Sequence, residues 1–206
     1  MGRYAEERVP RIPIKPQWKL VAVMIYDYYY HPNLLTIDEV KNLNRVLKEN
    51  LNPSIIQSPA GGVTKSSIYT GVYVKTVKSE LTKIYEFIND VNCNIFNFDI
   101  YQLQDNDCIN YNVYTEERNS EYGWHNDFPT GNMGDDKKLT VIVNLSENQY
   151  TGGNFELFLN YPRHIKELDN PGSILIFPSY MQHRVTPVTK GERVSLSMWY
   201  NGPRLK

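Results

Sequence analysis

The chain has 206 residues, 41% hydrophobic and 22% charged, which is enough for one globular domain with a real core and short for two. A mean hydropathy of -0.50, no apolar run near the ~18 residues a membrane helix needs, and an opening Met1–Pro13 without an apolar stretch point to a soluble, cytoplasmic protein with no membrane partner. Twenty-two basic against 23 acidic residues give a net charge of -1, so no long-range field favours nucleic acid.

Periodicity divides the chain near residue 93 without a linker or repeat, so residues 1–93 and 94–206 read as two parts of one domain. In the first part Thr36 and Glu39 form a capping box, and Ile37, Val40, Leu43 and Leu47 follow at helical spacing, predicting a helix over Ile37–Glu49. Leu81, Ile84, Tyr85, Ile88 and Val91 predict a second amphipathic helix that covers a sheet. Beyond it the period becomes two. Phe96, Phe98 and Ile100 alternate with polar residues, as do Ile109, Tyr111 and Val113, and both stretches read as strands. Further strands are predicted at Leu139–Leu145, Asn154–Leu159, Ser173–Phe177 and Arg193–Tyr200, separated by Gly- and Pro-containing turns. The result is a mainly β protein with supporting helices, an α+β class with a jelly-roll or barrel core. Cys93 and Cys108 are too few for a disulfide scaffold and lack C-x-x-C spacing, so both read as reduced, buried thiols.

The informative segment is Tyr122-Gly123-Trp124-His125-Asn126-Asp127, where an imidazole and a carboxylate two residues apart share one side of a strand end. His183 follows 56 residues later, between two predicted strands, so an antiparallel sandwich can return it beside the pair. Two histidines and one carboxylate form the facial triad of non-haem Fe(II), which leaves open positions for a chelating co-substrate and dioxygen. Arg193, ten residues on, offers a planar fork suited to a carboxylate such as that of a dicarboxylic keto acid, with Ser195 on the same face. Alone, each residue has a structural explanation; the ordered set is hard to explain by packing. His31 reads as a surface residue and His164 as a loop residue. Trp124 and Trp199 read as core or pocket-wall residues. The segments Thr115–Glu121 and Phe128–Lys138 are candidate substrate loops.

From about Asn94 to Pro203 the sequence resembles the Fe(II)- and 2-oxoglutarate-dependent dioxygenases, in particular the prolyl 4-hydroxylase-like branch. The resemblance lies in Tyr122-Gly-Trp-His125-x-Asp127, Leu139–Leu145, Gly152-Gly153-x-Phe-Glu-Leu, Gly172-Ser-x-Leu-x-Phe-Pro178, His183-x-Val-x-Pro187 and Arg193-x-Ser-x-Ser-x-Trp199. It implies a double-stranded β-helix (jelly-roll, cupin-like) core. It also implies iron on His125, Asp127 and His183, with Arg193 on the distal carboxylate of 2-oxoglutarate and Tyr114 donating to the same carboxylate. Where some members of the branch carry a second tyrosine, Asn144 stands here and takes its place at the co-substrate. The implied reaction consumes 2-oxoglutarate and O2, with ascorbate in support, and releases succinate and CO2 while hydroxylating an unactivated C–H bond of a peptide or protein. The alternatives are a small-molecule oxygenase and a non-catalytic jelly-roll module. A nucleic-acid demethylase of the related repair family would carry a second arginine where Trp199 stands.

Overall fold

The computed structural model describes residues 27–54, 65–128 and 135–204. The opening segment and residues 129–134 of the expected substrate loop lie outside them.

In chain order the elements are β1 (Tyr29–His31), α1 (Ile37–Glu49), β2 (Ile68–Tyr73), α2 (Thr82–Val91), β3 (Cys108–Thr115), β4 (Tyr122–His125) and β5 (Asp135–Asn144). There follow β6 (Thr151–Gly152), β7 (Phe155–Phe158), β8 (Pro162–His164), β9 (Ile174–Pro178), β10 (His183–Val185), β11 (Val188–Lys190) and β12 (Glu192–Pro203). Helix α1 begins where its capping box places it: Thr36 Oγ1 accepts from the Glu39 N–H at 3.2 Å and Glu39 accepts from the Thr36 N–H at 2.7 Å.

Antiparallel pairing builds a six-stranded sheet, β1-β9-β5-β12-β3-β2, and a four-stranded sheet, β4-β10-β7-β8, with β6 and β11 as a short ribbon. The period of two decides what each sheet face does. Along β12, Val194, Leu196, Met198 and Tyr200 join Leu139, Val141 and Val143 of β5 in one apolar cluster with Val40, Leu43 and Leu47 of α1 and Ile84, Ile88 and Val91 of α2. The helices therefore cover one face of the six-stranded sheet. Ile142, Leu175 and Phe177 on its other face pack with Phe155, Leu157 and Val185 of the four-stranded sheet in a second cluster. Two antiparallel sheets closing on an apolar interior make the jelly roll that the strand spacing predicts. Asn44, buried on α1, donates to the Leu145 carbonyl at 2.9 Å and accepts from the Tyr111 hydroxyl at 3.2 Å, pinning the helix to the sheet.

Several expectations need correction. Phe96, Phe98 and Ile100 do not form a strand. A single π-turn over Asn92–Phe96 ends at Asn97 with a left-handed φ of 52°, which stacks Phe96 and Phe98 on one another with centroids 6.2 Å apart. Cys93 is exposed and Cys108 half-buried, so they are free thiols but not core residues. His164 lies in β8, within 3.0 Å of the Asp169 carboxylate, rather than in a loop. His31 is exposed, in β1. Asp135–Lys138 belongs to β5 and not to a loop. Among the described residues, no helix is long and apolar enough to cross a membrane.

Candidate metal centre

His125 ends β4, His183 opens β10, and the two are facing partners across that pair of strands, with ring centroids 4.1 Å apart. Asp127 lies past the end of β4, so strand alternation does not aim it. Its own N–H and that of Phe128 both donate to the Ser179 carbonyl, at 2.9 and 3.0 Å, and this turn carries the carboxylate back between the imidazoles. Asp127 Oδ1 is 3.7 Å from His125 Nε2 and Oδ2 is 3.4 Å from His183 Nε2. Ligand atoms of all three lie within 4.8 Å of one another and can hold a metal ion. Nitrogen and oxygen ligands about 2.1 Å from one ion at right angles stand about 3 Å apart, so the spacing fits.

The imidazoles are oriented for that task. His125 Nδ1 is 2.8 Å from the Gly123 carbonyl and His183 Nδ1 is 3.0 Å from the Met181 carbonyl. A carbonyl only accepts, so each Nδ1 carries the proton and each Nε2 presents its lone pair to the site. Tyr122 stacks on His125 at 3.6 Å, while Phe155 and Phe177 flank His183. Burial, reinforced by His183, pushes the His125 pKa down to about 4, so the ring stays neutral and able to ligate. For Asp127 burial acts to raise the pKa, but the two imidazoles outweigh it and hold the carboxyl below its usual range. Thr140 Oγ1 donates to Asp127 Oδ2 at 2.9 Å and stands 2.9 Å from Ser179 Oγ. The half-buried Trp199 turns its indole N–H to the same carboxylate, outside hydrogen-bond geometry.

The second anchor is Arg193. It is 2% exposed, faces Tyr114 across β12 and β3, and donates from Nη1 to Ser195 Oγ at 3.1 Å. Its guanidinium carbon is 5.3 Å from the centroid of the Tyr114 ring. Among the described residues no carboxylate pairs with it, so the buried charge is suited to receive an anion that these residues do not supply. Gly153 makes room for the side chain: at φ +59°, a Cβ there would sit 2.8 Å from Val188 Cγ2 and 3.1 Å from Arg193 Cδ. Burial raises the pKa of Tyr114, keeping its hydroxyl a donor.

Asn144 departs from expectation. Fully buried, it donates to the carbonyls of Leu168 at 2.8 Å and Asp169 at 2.9 Å, and accepts from the Ser146 N–H at 2.9 Å. These bonds use its amide to fasten the loop before β9, so it is not free to serve a co-substrate. Trp124 points away from His125, against Phe158 and Arg184, and is not part of the site wall. Sequence reasoning missed Thr140 and Ser179, and it quoted Tyr122 in the motif without giving the ring a role. Thr140 was within reach, because in the alternation of β5 it falls on the face opposite Val141.

The fold and site define a jelly roll carrying a His-Asp-His set that can hold a metal ion, together with a buried arginine that no described carboxylate pairs with. Residues 109–201 match the family model of the 2OG-Fe(II) oxygenase superfamily. Fe(II) and 2-oxoglutarate are the groups that family implies, and the donor set and the buried Arg193 guanidinium suit both. A PKHD-type hydroxylase of Hyphomonas neptunium is 37% identical over 83 residues, covering 38% of this chain and 36% of that protein. One of Alteromonas mediterranea is 33% identical over 96 residues, 43% of this chain and 41% of its own. The matched stretch thus spans well under half the length of these relatives. A prolyl-4-hydroxylase of Pseudomonas putida shares the fold with a TM-score of 0.61 at 18% identity, covering 86% of this chain and 94% of that one. A Trichoplax adhaerens prolyl hydroxylase, solved with a hypoxia inducible factor peptide fragment, gives 0.61 at 19% identity, with 84% and 83% covered.

Proposed function

We propose that the protein is an Fe(II)- and 2-oxoglutarate-dependent dioxygenase that hydroxylates an unactivated C–H bond, with a prolyl residue of a peptide or protein as its substrate. The observation that carries this reading is the combination of the triad with a buried arginine that no described carboxylate pairs with, Tyr114 lying within the electrostatic reach of both Arg193 and Asp127. His125 and His183 hold the ion through Nε2 and Asp127 through its carboxylate, while Arg193, with Ser195 and Tyr114, receives the distal carboxylate of 2-oxoglutarate. Bound iron, with O2 and 2-oxoglutarate, supplies the power to oxidise the C–H bond and leaves succinate and CO2.

The protein's own part is positional. Gly123 and Met181 carbonyls fix both tautomers, Thr140 and Ser179 hold the carboxylate, and Tyr122, Phe155 and Phe177 wall the imidazoles from water. Tyr114 keeps its proton and can donate it in a hydrogen bond to an oxygen held by Arg193. A peptide substrate is favoured over a small molecule by the prolyl hydroxylases among the structural neighbours, one of them holding a peptide. Ascorbate as supporting reductant and residues 1–206 as one domain belong to the same proposal. A reducing, cytoplasmic setting does too, supported by two unpaired cysteines.

The test is succinate release from 2-oxoglutarate that requires Fe(II), together with a mass gain of one oxygen on proline-containing peptides. Succinate and oxygenation confined to free amino acids or other small molecules would favour the alternative, and no succinate at all would overturn the reading.

A further inference from the structure

Two lysines that the proposed chemistry does not use are turned to the metal centre from different elements. Lys65 forms an isolated bridge with Tyr122, and its Nζ lies 3.8 Å from the centroid of the Tyr69 ring and 4.5 Å from that of Tyr122. Tyr122 is the ring that stacks on His125. Lys137 places its Nζ 4.5 Å from the centroid of the Trp199 ring, whose N–H faces Asp127.

Lys137 reaches that position through a defect in the ladder. Tyr200 pairs with Leu139, but the next residue of β12, Asn201, pairs with Lys137, so Lys138 is an extra residue in β5. The bulge reverses the alternation: Lys138 turns to Asp136, 3.3 Å away, and Lys137 shares a face with Trp199.

Both lysines are half-buried, and burial lowers the pKa of each, Lys65 to about 8. Among the described residues Asp127 is the only carboxylate that acts on either ammonium. A metal ion at the triad claims that carboxylate. Aromatic faces attract a cation but cannot accept the hydrogen bonds of an ammonium as a carboxylate does, so both lysines then lack a full partner beside the reacting position.

We propose that Lys65 and Lys137 bind a carboxylate of the substrate, so that the enzyme selects proline flanked by acidic residues. The inference rests on the dioxygenase reading above and names the substrate class for that site.

The test is calorimetric binding of acetylated, amidated heptapeptides to the full chain loaded with Mn(II) and N-oxalylglycine, which fill the metal and co-substrate positions without turnover. The peptides carry a central proline flanked on both sides by glutamate, glutamine or lysine. The glutamate peptide should bind about tenfold tighter than the glutamine peptide. That preference should shrink to within about twofold in Lys65→Gln/Lys137→Gln, survive in Lys137→Arg, and reverse toward the lysine peptide in Lys137→Glu. Lys48→Gln, an exposed change on α1, should leave it intact. Retained Mn(II) and N-oxalylglycine binding shows that each variant is folded. Equal affinity of wild type for the glutamate and glutamine peptides, including no binding of either, overturns the proposal, as does a preference unmoved by Lys137→Glu. Failure of wild type to bind Mn(II) and N-oxalylglycine counts instead against the dioxygenase reading.

Discussion

Gly153 and Arg193 are in contact such that the absence of a side chain on one allows the other its place: a Cβ on Gly153 would meet Arg193 Cδ at 3.1 Å and Val188 Cγ2 at 2.8 Å. The left-handed φ of +59° would itself cost another residue about 1 kcal/mol. Gly153→Ala should therefore lower the melting temperature and also raise the Michaelis constant for 2-oxoglutarate. A loss of stability with an unchanged Michaelis constant would show that the glycine serves the turn alone.

Arg193 should be separable from the metal. Arg193→Lys keeps the charge but loses the planar fork, so the Michaelis constant for 2-oxoglutarate should rise, and Arg193→Ala should raise it further. Mn(II) affinity should change little in either. Succinate formation against 2-oxoglutarate concentration reads the first effect and calorimetry the second; equal constants across the three proteins would remove Arg193 from the co-substrate site.

His183→Ala should abolish binding of Mn(II) or Fe(II). The change empties a buried position between Phe155 and Phe177, and the cavity will lower the melting temperature as well. His183→Gln retains most of the volume and isolates the ligand effect; unaltered stoichiometry and affinity in that variant would take His183 out of the site.

Thr140→Val tests the positioning of Asp127. The valine matches the buried shape but leaves Asp127 Oδ2 without its 2.9 Å donor. Metal affinity should fall by about 10- to 100-fold, the usual effect of removing a group that orients a ligand. Thr140→Ser should restore most of it. A valine variant with native affinity would reduce Thr140 to a packing residue.

What could be read in advance divides by the range of the forces involved. Helix α1 was legible because Thr36 and Glu39 cap it locally, and the triad because strand-end positions recur in a jelly roll regardless of what lies between them. The alternation at Phe96–Ile100 misled because the left-handed Asn97 reverses the chain, and asparagine tolerates that conformation without announcing it. Lys137 was hidden by a bulge that exists only in the pairing with Asn201, and Lys65 by a bridge to a residue 57 positions away. The polar character of Asn144 was visible, but its partners Leu168 and Asp169 come from a loop whose path only the fold determines.

His125 and His183 face each other across β4 and β10, and that ladder has only one other register pair, with a shift between them. Strand β4 is also the margin of its sheet. An ion shared by the two imidazoles is then a rivet through a short seam, joining the outermost strand to its neighbour where backbone pairing is sparsest. Removal of the metal with a chelator should release β4 ahead of the rest, so that amide exchange quickens over Tyr122–His125 while β5 and β12, zipped over nine register pairs, stay protected. On the proposed reading, loading the site and securing the edge of the sheet become one event, which the exchange measurement reads directly.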